Sequence, residues 1–161
     1  REDYPRAQDL PGPGFAAGPC LFKDTMQLAA FTSDHFPMGQ AAIQVNEGLP
    51  AYIVAALQRR YGGLNGKTVG ILGMAFKAES DDPRASLSYK FKKALASLAG
   101  AVLTTDPFVT TDAELQPLDD VIARSDLLVL CAPHTAYRDL DFSGKPVVDV
   151  WGFLKNANVI S

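Results

Sequence analysis

The sequence predicts an α/β fold in which a helical segment is followed by a Rossmann-like, doubly wound parallel sheet. From residue 67 onwards, short runs rich in Val, Ile and Leu alternate with segments in which apolar residues recur every three or four positions. Such alternation is typical of a parallel sheet with right-handed crossovers. The run Asp126–Ala132 is apolar almost throughout, as expected of a strand buried on both faces. Residues 24–60 show only the helical spacing, so helices precede the sheet.

The individual elements follow from the same periodicities. Helices are predicted over residues 24–31, 38–60, 87–98 and 116–124, with a short helix near 134–138. Strands are predicted over residues 67–72, 101–105, 126–132, 146–151 and 158–160. Pro50 is expected to kink or open the second helix. Ser80–Arg84 carries cap residues and an early Pro, which indicate a helix start.

The two ends of the helical segment are marked by composition. Residues 1–19 are rich in Pro, Gly and Ala and are predicted to be irregular. A glycine-rich stretch at residues 61–66 ends the second helix and is predicted to be a domain boundary, which gives parts 1–63 and 64–161.

Composition excludes several classes of function. The chain has 161 residues, of which 47% are apolar and 20% charged, with a net charge of −3. These values are ordinary for a globular protein, and the absence of a basic block argues against nucleic-acid or membrane-surface binding. No apolar run approaches the roughly 20 residues that span a bilayer. Two cysteines do not form a disulfide framework, so a reduced, cytoplasmic protein without a metal site is predicted.

Polar and aromatic residues follow several of the predicted strands. These carboxyl-end groups are Phe76-Lys77, Asp106-Pro107, Ala132-Pro133-His134 and Asp149-Val150-Trp151. Because the carboxyl ends of parallel strands line the ligand crevice of an open sheet, we expect these residues to border a site for an anionic ligand. No G-x-G-x-x-G fingerprint follows the first strand, which argues against a dinucleotide there.

Other polar residues are predicted to be structural. Asn46, on the second helix, is expected to serve helix–helix or domain packing rather than chemistry, and Cys131, inside an apolar strand, is expected to lie in the core. Arg84 is expected to anchor its loop through Asp81 or Asp82. A cysteine beside a lysine and an aspartate, such as Cys20, is by itself more often a small buried thiol than a nucleophile.

Two motifs resemble the UDP-glucose/GDP-mannose dehydrogenase family. Residues 73–86, GMAFKAESDDPRAS, resemble the opening of its nucleotide-sugar-binding domain, and residues 14–24, GFAAGPCLFKD, resemble its catalytic loop. Ala16 and Ala17 replace two glycines of the usual loop. A third similar stretch, residues 132–149, ends before Trp151, where many relatives carry an arginine that contacts the cofactor.

The resemblance implies a catalytic cysteine. Family members oxidise the C6 alcohol of a nucleotide-sugar to a carboxylate in two hydride transfers to NAD, through a cysteine thiohemiacetal and thioester. Cys20 matches that nucleophile. Asp24 lies one helical turn later and matches a general base or water-orienting residue. Lys23 is expected to hold the substrate or balance its charge, unless it is simply a solvated helix lysine.

The resemblance also implies a substrate site. Its residues are Phe15, Gly18, Phe76, Lys77 and Arg6. Lys77 would pair with a phosphate oxygen of a UDP-sugar, and Arg6 would reach the substrate of the partner subunit in a homodimer. NAD would be held mainly by an N-terminal domain that would precede Arg1, so this chain is expected to be inactive alone.

Two other functions remain open. The chain would serve either as a free-standing nucleotide-sugar-binding module or as an assembly module in which the helix at residues 38–60 forms an interface. Neither function requires a thiol beside Lys23 and Asp24, so the sequence favours the dehydrogenase. It does not identify the sugar.

Overall fold

A computed structural model describes residues 12–32, 35–155 and 159–160. Two helices come first, and strands and helices then alternate. In chain order the elements are α1 (Leu21–Phe31), α2 (Pro37–Tyr61), β1 (Thr68–Leu72), α3 (Leu87–Leu95), β2 (Ala101–Thr105), α4 (Leu118–Arg124), β3 (Leu127–Leu130), β4 (Val147–Asp149) and β5 (Val159–Ile160). One turn of 3-10 helix, Thr135–Tyr137, lies between β3 and β4.

The strands form one parallel sheet in the order β2-β1-β3-β4-β5. Val69 of β1 stands opposite Val102 on one side and Leu127 on the other. The chain therefore leaves β1 towards one edge of the sheet and then returns to build the other side from β3. This reversal makes β1 and β3 the topological switch point, where open α/β sheets bind their ligands. The predicted fold class is confirmed.

Hydrophobic layers cover both faces of the sheet. Alternate residues of a strand point to opposite faces, and β3 divides accordingly, with Val129 in one layer and Leu128 in the other. The first layer contains side chains from α2 and α3, including Val54, Leu57 and Phe91. The second contains Val121 and Ile122 of α4 together with Tyr137. Helices on both faces are the arrangement expected of a doubly wound sheet.

The helix start predicted at Ser80–Arg84 is wrong. α3 begins at Leu87, where the Ser86 hydroxyl caps it by accepting a hydrogen bond from the amide of Ser88. The carboxylate of Asp82 instead accepts the amide of Arg84, and the carbonyl of Asp82 accepts the amide of Phe76. Short polar side chains that bond their own backbone stabilise turns as readily as helix ends, so these signals belong to a loop.

Other details agree with the sequence or refine it. α2 is continuous across Pro50, so the helix does not open there within the described residues, and the kink stays a prediction. Cys131 is buried in the first layer, which confirms its structural role. Residues from both sides of the predicted boundary share that layer, including Leu57 before it and Ile71 after it. The division at residue 63 stays a prediction. None of the helices in the described ranges is long and apolar enough to cross a bilayer.

Candidate functional site

The two motifs singled out in the sequence touch each other in the fold. Gly18 has a φ of +117°, and a Cβ built there would lie 2.9 Å from the ring of Phe76. The Phe76 ring therefore packs directly against the backbone of Gly18. The next residue, Lys77, is exposed, and its Nζ lies 5.5 Å from the centroid of the same ring. The contact places the loop that leads to Cys20 beside the loop that leaves β1 at the switch point.

The segment of residues 14–18, which we call the 14–18 loop, is held by Phe76 at Gly18, by Trp151 at Gly14 and by Asn46 at Ala16. Gly14 packs against the indole of Trp151, whose Nε1 donates a hydrogen bond to the carbonyl of Cys131 at 2.9 Å. Asn46 of α2 fixes the middle: its Oδ1 accepts from the amide of Ala16 at 3.0 Å, and its Nδ2 donates to the carbonyl of Ala16 at 2.6 Å. Asn46 therefore holds this loop, which is neither the helix–helix nor the domain contact predicted for it.

Cys20 lies immediately before α1 and is exposed. The amide of Asp24 donates to the carbonyl of Cys20 at 2.8 Å, so the two side chains leave the helix one turn apart. Lys23 and Asp24 form an ion pair of 3.3 Å in which both side chains are more than half exposed. An exposed pair of this kind contributes little to stability, so both groups remain free to meet a ligand. Asp24 also lines a groove of about 520 Å³ between α1 and α2.

The other predicted site residues differ in their access to a ligand. Phe15 is only 4% exposed and belongs to the first core layer, so it can meet a ligand through its backbone but not through its ring. Arg6 lies outside the described residues. Arg84 pairs with Asp82 through two nitrogens, at 2.9 and 2.7 Å, as predicted. These hydrogen bonds hold the pKa of Asp82 below its usual value.

Two of the carboxyl-end residues form a buried pair that the sequence did not predict. The side chains of Asp106 and His134 are fully buried, with His134 Nε2 3.1 Å from Asp106 Oδ2. That oxygen also accepts the amides of Met74 and Ala75, at 2.6 and 2.9 Å. The imidazole Nδ1 accepts the amide of Glu79 at 3.0 Å, so Nδ1 carries no proton and Nε2–H is the donor to Asp106.

The prediction that these residues line the crevice is therefore wrong for their side chains. Burial alone would raise the pKa of Asp106, but hydrogen bonds from His134 and from backbone amides outweigh it and hold the pKa well below its usual value. The side chain of Asp149 also turns inward, where it accepts the amides of Trp151 and Leu154. By contrast, Phe76 is half-buried and Lys77 is exposed, so these two side chains stay accessible as expected.

The Asp106–His134 pair also determines whether the backbone after β1 can bind a dinucleotide. In a dinucleotide fold the amides that follow the first strand bind the pyrophosphate. Here the amides of Met74 and Ala75 already donate to the carboxylate of Asp106 and are not available to a pyrophosphate. These residues do not fit NAD. Within the described ranges, no three His, Cys, Asp or Glu side chains come together as a metal site.

Comparison with known proteins identifies relatives. Residues 70–156 match the model of the UDP-glucose/GDP-mannose dehydrogenase family, UDP binding domain. The chain is 28% identical over 143 residues to the UDP-glucose 6-dehydrogenase YwqF of Bacillus subtilis (strain 168), covering 76% of this chain and 32% of that protein. It is 29% identical over 146 residues to a UDP-N-acetyl-D-mannosamine dehydrogenase of Pyrococcus horikoshii, covering 86% of this chain and 34% of that protein.

A solved structure shares the fold over most of the chain. A UDP-glucose dehydrogenase from the hyperthermophilic archaeon Pyrobaculum islandicum superposes with a TM-score of 0.78 at 29% identity, covering 92% of this chain and 37% of that one. The chain spans about a third of the length of the curated relatives it matches. The family model covers more than half of the present sequence. The chain therefore belongs to the UDP-glucose/GDP-mannose dehydrogenase family.

Proposed function

We propose that this chain supplies the nucleotide-sugar site and the nucleophilic thiol of an NAD-dependent nucleotide-sugar 6-dehydrogenase, with a UDP-sugar as substrate. The contact between Gly18 and Phe76 carries the proposal, because it joins the loop before Cys20 to the loop that presents Lys77. The family membership and the activities named for the relatives support the substrate class.

Lys77 is proposed to bind the diphosphate. Its ammonium is exposed at the switch point, and among the described residues no carboxylate lies within ion-pair distance of it. An ammonium is a compact charge with three donors, which suits a phosphate oxygen. A nucleoside diphosphate bound there would lie beside the 14–18 loop and so bring its sugar towards Cys20.

Cys20 is proposed to form the covalent bond. Its thiolate attacks the carbonyl carbon of a sugar aldehyde; a C–S bond forms while the π electron pair of the carbonyl moves to oxygen, which then takes up a proton. Loss of a hydride, for which NAD would be the acceptor, and of the hydroxyl proton would convert this adduct into a thioester. Asp24, one turn away, is proposed to position the water that adds to the thioester carbonyl, so that the C–S bond breaks and the thiol and a carboxylate are released; Lys23 is proposed to balance the charge of the site. The end of β1 does not fit the dinucleotide, so we propose that NAD is bound elsewhere in a longer protein and that this chain alone is inactive.

The test is a calorimetric titration of the chain with UDP and with GDP. Saturable UDP binding is expected, and Lys77→Ala should weaken it about tenfold or more, since a charge-assisted hydrogen bond to phosphate is lost. Lys93→Ala, at an exposed lysine of α3, is the matched control and should leave the affinity unchanged. Absence of saturable UDP binding, or equal affinity in Lys77→Ala, would refute the proposed site.

We also propose that the protein is a cytoplasmic homodimer. Cys20 is a free, exposed thiol, which suits a reducing compartment. The helices α1 and α2 expose large apolar side chains, including Phe31 at 88%, Val45 at 68% and Tyr52 at 66%, and such surface is typical of an interface. Sedimentation velocity should show a dimer that Val45→Glu and Tyr52→Glu dissociate and Gln44→Glu does not. A monomer at every concentration would contradict this assembly.

A further inference from the structure

The backbone around Lys77 is fixed at both ends by one buried pair of side chains. On the near side, the amides of Met74 and Ala75 donate to Asp106. On the far side, the amide of Glu79 donates to His134, which in turn contacts Asp106. Lys77 therefore lies in a short span, residues 75–79, whose two ends are tied to the same Asp–His pair.

We propose that His134 is a positioning residue for Lys77, which it acts on by accepting the amide of Glu79 and so fixing the far end of the span that carries the lysine. This proposal rests on the proposed function, because it assigns the span a role in binding the diphosphate. His134 is fully buried and does not touch the ligand itself.

The far end needs such a tie because its backbone is strained. Glu79 has a φ of +52°, a left-handed conformation that a residue with a Cβ adopts only when its surroundings hold it. Two contacts hold it: its amide donates to His134, and its carboxylate accepts the amide of Thr135 at 2.6 Å. Both partners follow β3, so the far end is tied to the strand beside β1.

The imidazole has little freedom to move away. Its ring lies 5.1 Å from the ring of Phe108 and 5.7 Å from the ring of Tyr137, measured between centroids. Because the ring is buried, water cannot replace either of its hydrogen bonds. Losing the acceptor at Nδ1 would therefore release Glu79 towards a less strained backbone and shift Lys77 with it.

Two substitutions separate the contacts of the imidazole. In His134→Asn the amide oxygen takes the place of Nδ1 and keeps the bond to Glu79, whereas in His134→Gln the amide nitrogen reaches the place of Nε2 and keeps the bond to Asp106. Each variant loses one buried hydrogen bond, so both should lose similar thermal stability. Glu79→Ala removes only the exposed tie to Thr135 and serves as a third variant that needs no change in the core.

We expect hydrogen exchange at the amides of residues 76–79 to be faster in His134→Gln than in His134→Asn. The affinity for UDP should fall about tenfold in His134→Gln, because only about a tenth of the molecules would then hold residues 75–79 in the binding conformation. In His134→Asn the affinity should stay close to that of the wild type. Glu79→Ala should also speed the exchange of these amides and weaken UDP binding, but less than His134→Gln does. If exchange rates and UDP affinity changed equally in the Asn and Gln variants, in step with their loss of thermal stability, the positioning role would be overturned. Failure of the wild-type chain to bind UDP would refute the proposed site, whereas the exchange comparison would still decide whether His134 fixes the span.

Discussion

Asp106→Asn is expected to lower the free energy of unfolding by about 3 kcal/mol, which is large for a substitution that preserves shape. The Oδ2 atom accepts three donors, from Met74, Ala75 and His134. The Oδ1 atom accepts the amides of Phe108 and Val109. An asparagine places an NH₂ group at one of these two positions, where it faces at least two donors and leaves them without their acceptor. Urea unfolding of both proteins at neutral pH measures the difference.

The loss should depend on pH in a defined direction. Because the pKa of Asp106 lies below its usual value in the folded chain, the folded state holds the ionised form more strongly than the unfolded state does. This stabilisation is complete above the unfolded pKa, about 4, and is lost as the pH falls from there through the folded pKa. The difference between wild type and Asp106→Asn should therefore be constant near pH 7 and shrink below about pH 4. A difference that is the same at pH 7 and pH 3 would contradict this.

A second aspartate provides the control. Asp126 also accepts a backbone amide, that of Thr68 at 2.7 Å, but it is exposed and lies at the opposite end of β1. Water can replace its lost hydrogen bond, so Asp126→Asn should cost no more than about 1 kcal/mol. If the two variants had the same free energy of unfolding, the buried network around Asp106 would stabilise the fold no more than an exposed aspartate does.

The strands were predictable because their signal is local. The apolar runs gave β1 and β2 to within a residue, and the spacing of Cys20 and Asp24 placed them one turn apart on a helix. The Asp106–His134 pair has no such signal. Its members are 28 residues apart, and they meet only because β2 and β3 both neighbour β1, an order that no short window of sequence contains.

The errors have the same physical origin. A polar residue after a strand can face the crevice or fold back to bond the loop beside it, and the local sequence is the same in both cases. Asp106 and Asp149 fold back, whereas Lys77 does not. Likewise, Asp82 and Pro83 are compatible with a helix start, but Ala85 with a φ of +54° keeps this segment out of the helix. The resemblance to the family identified the two motifs, and the fold shows that they touch.

That contact makes a strong prediction at Gly18. Gly18→Ala is expected to lower the free energy of unfolding by about 2 kcal/mol, since a φ of +117° strains any residue that has a Cβ. The new methyl would lie 2.9 Å from two ring carbons of Phe76, which must move. Because Lys77 follows Phe76 directly, the UDP affinity should also fall, by about tenfold if the competent loop becomes a tenth of the population.

Gly48→Ala adds the same methyl group but is expected to have the opposite effect on stability. It lies exposed inside α2, and a Cβ built there meets no atom within 4 Å. Gly48→Ala should therefore raise the free energy of unfolding by about 1 kcal/mol, through the higher helix propensity of alanine, and leave UDP binding unchanged. Urea unfolding and UDP titration of the two variants side by side measure both effects. Because the added atoms are identical, a loss at Gly18 with a gain at Gly48 would trace the loss to the backbone conformation of Gly18 and its contact with Phe76. A Gly18→Ala variant with unchanged UDP affinity would show that the two loops do not depend on each other.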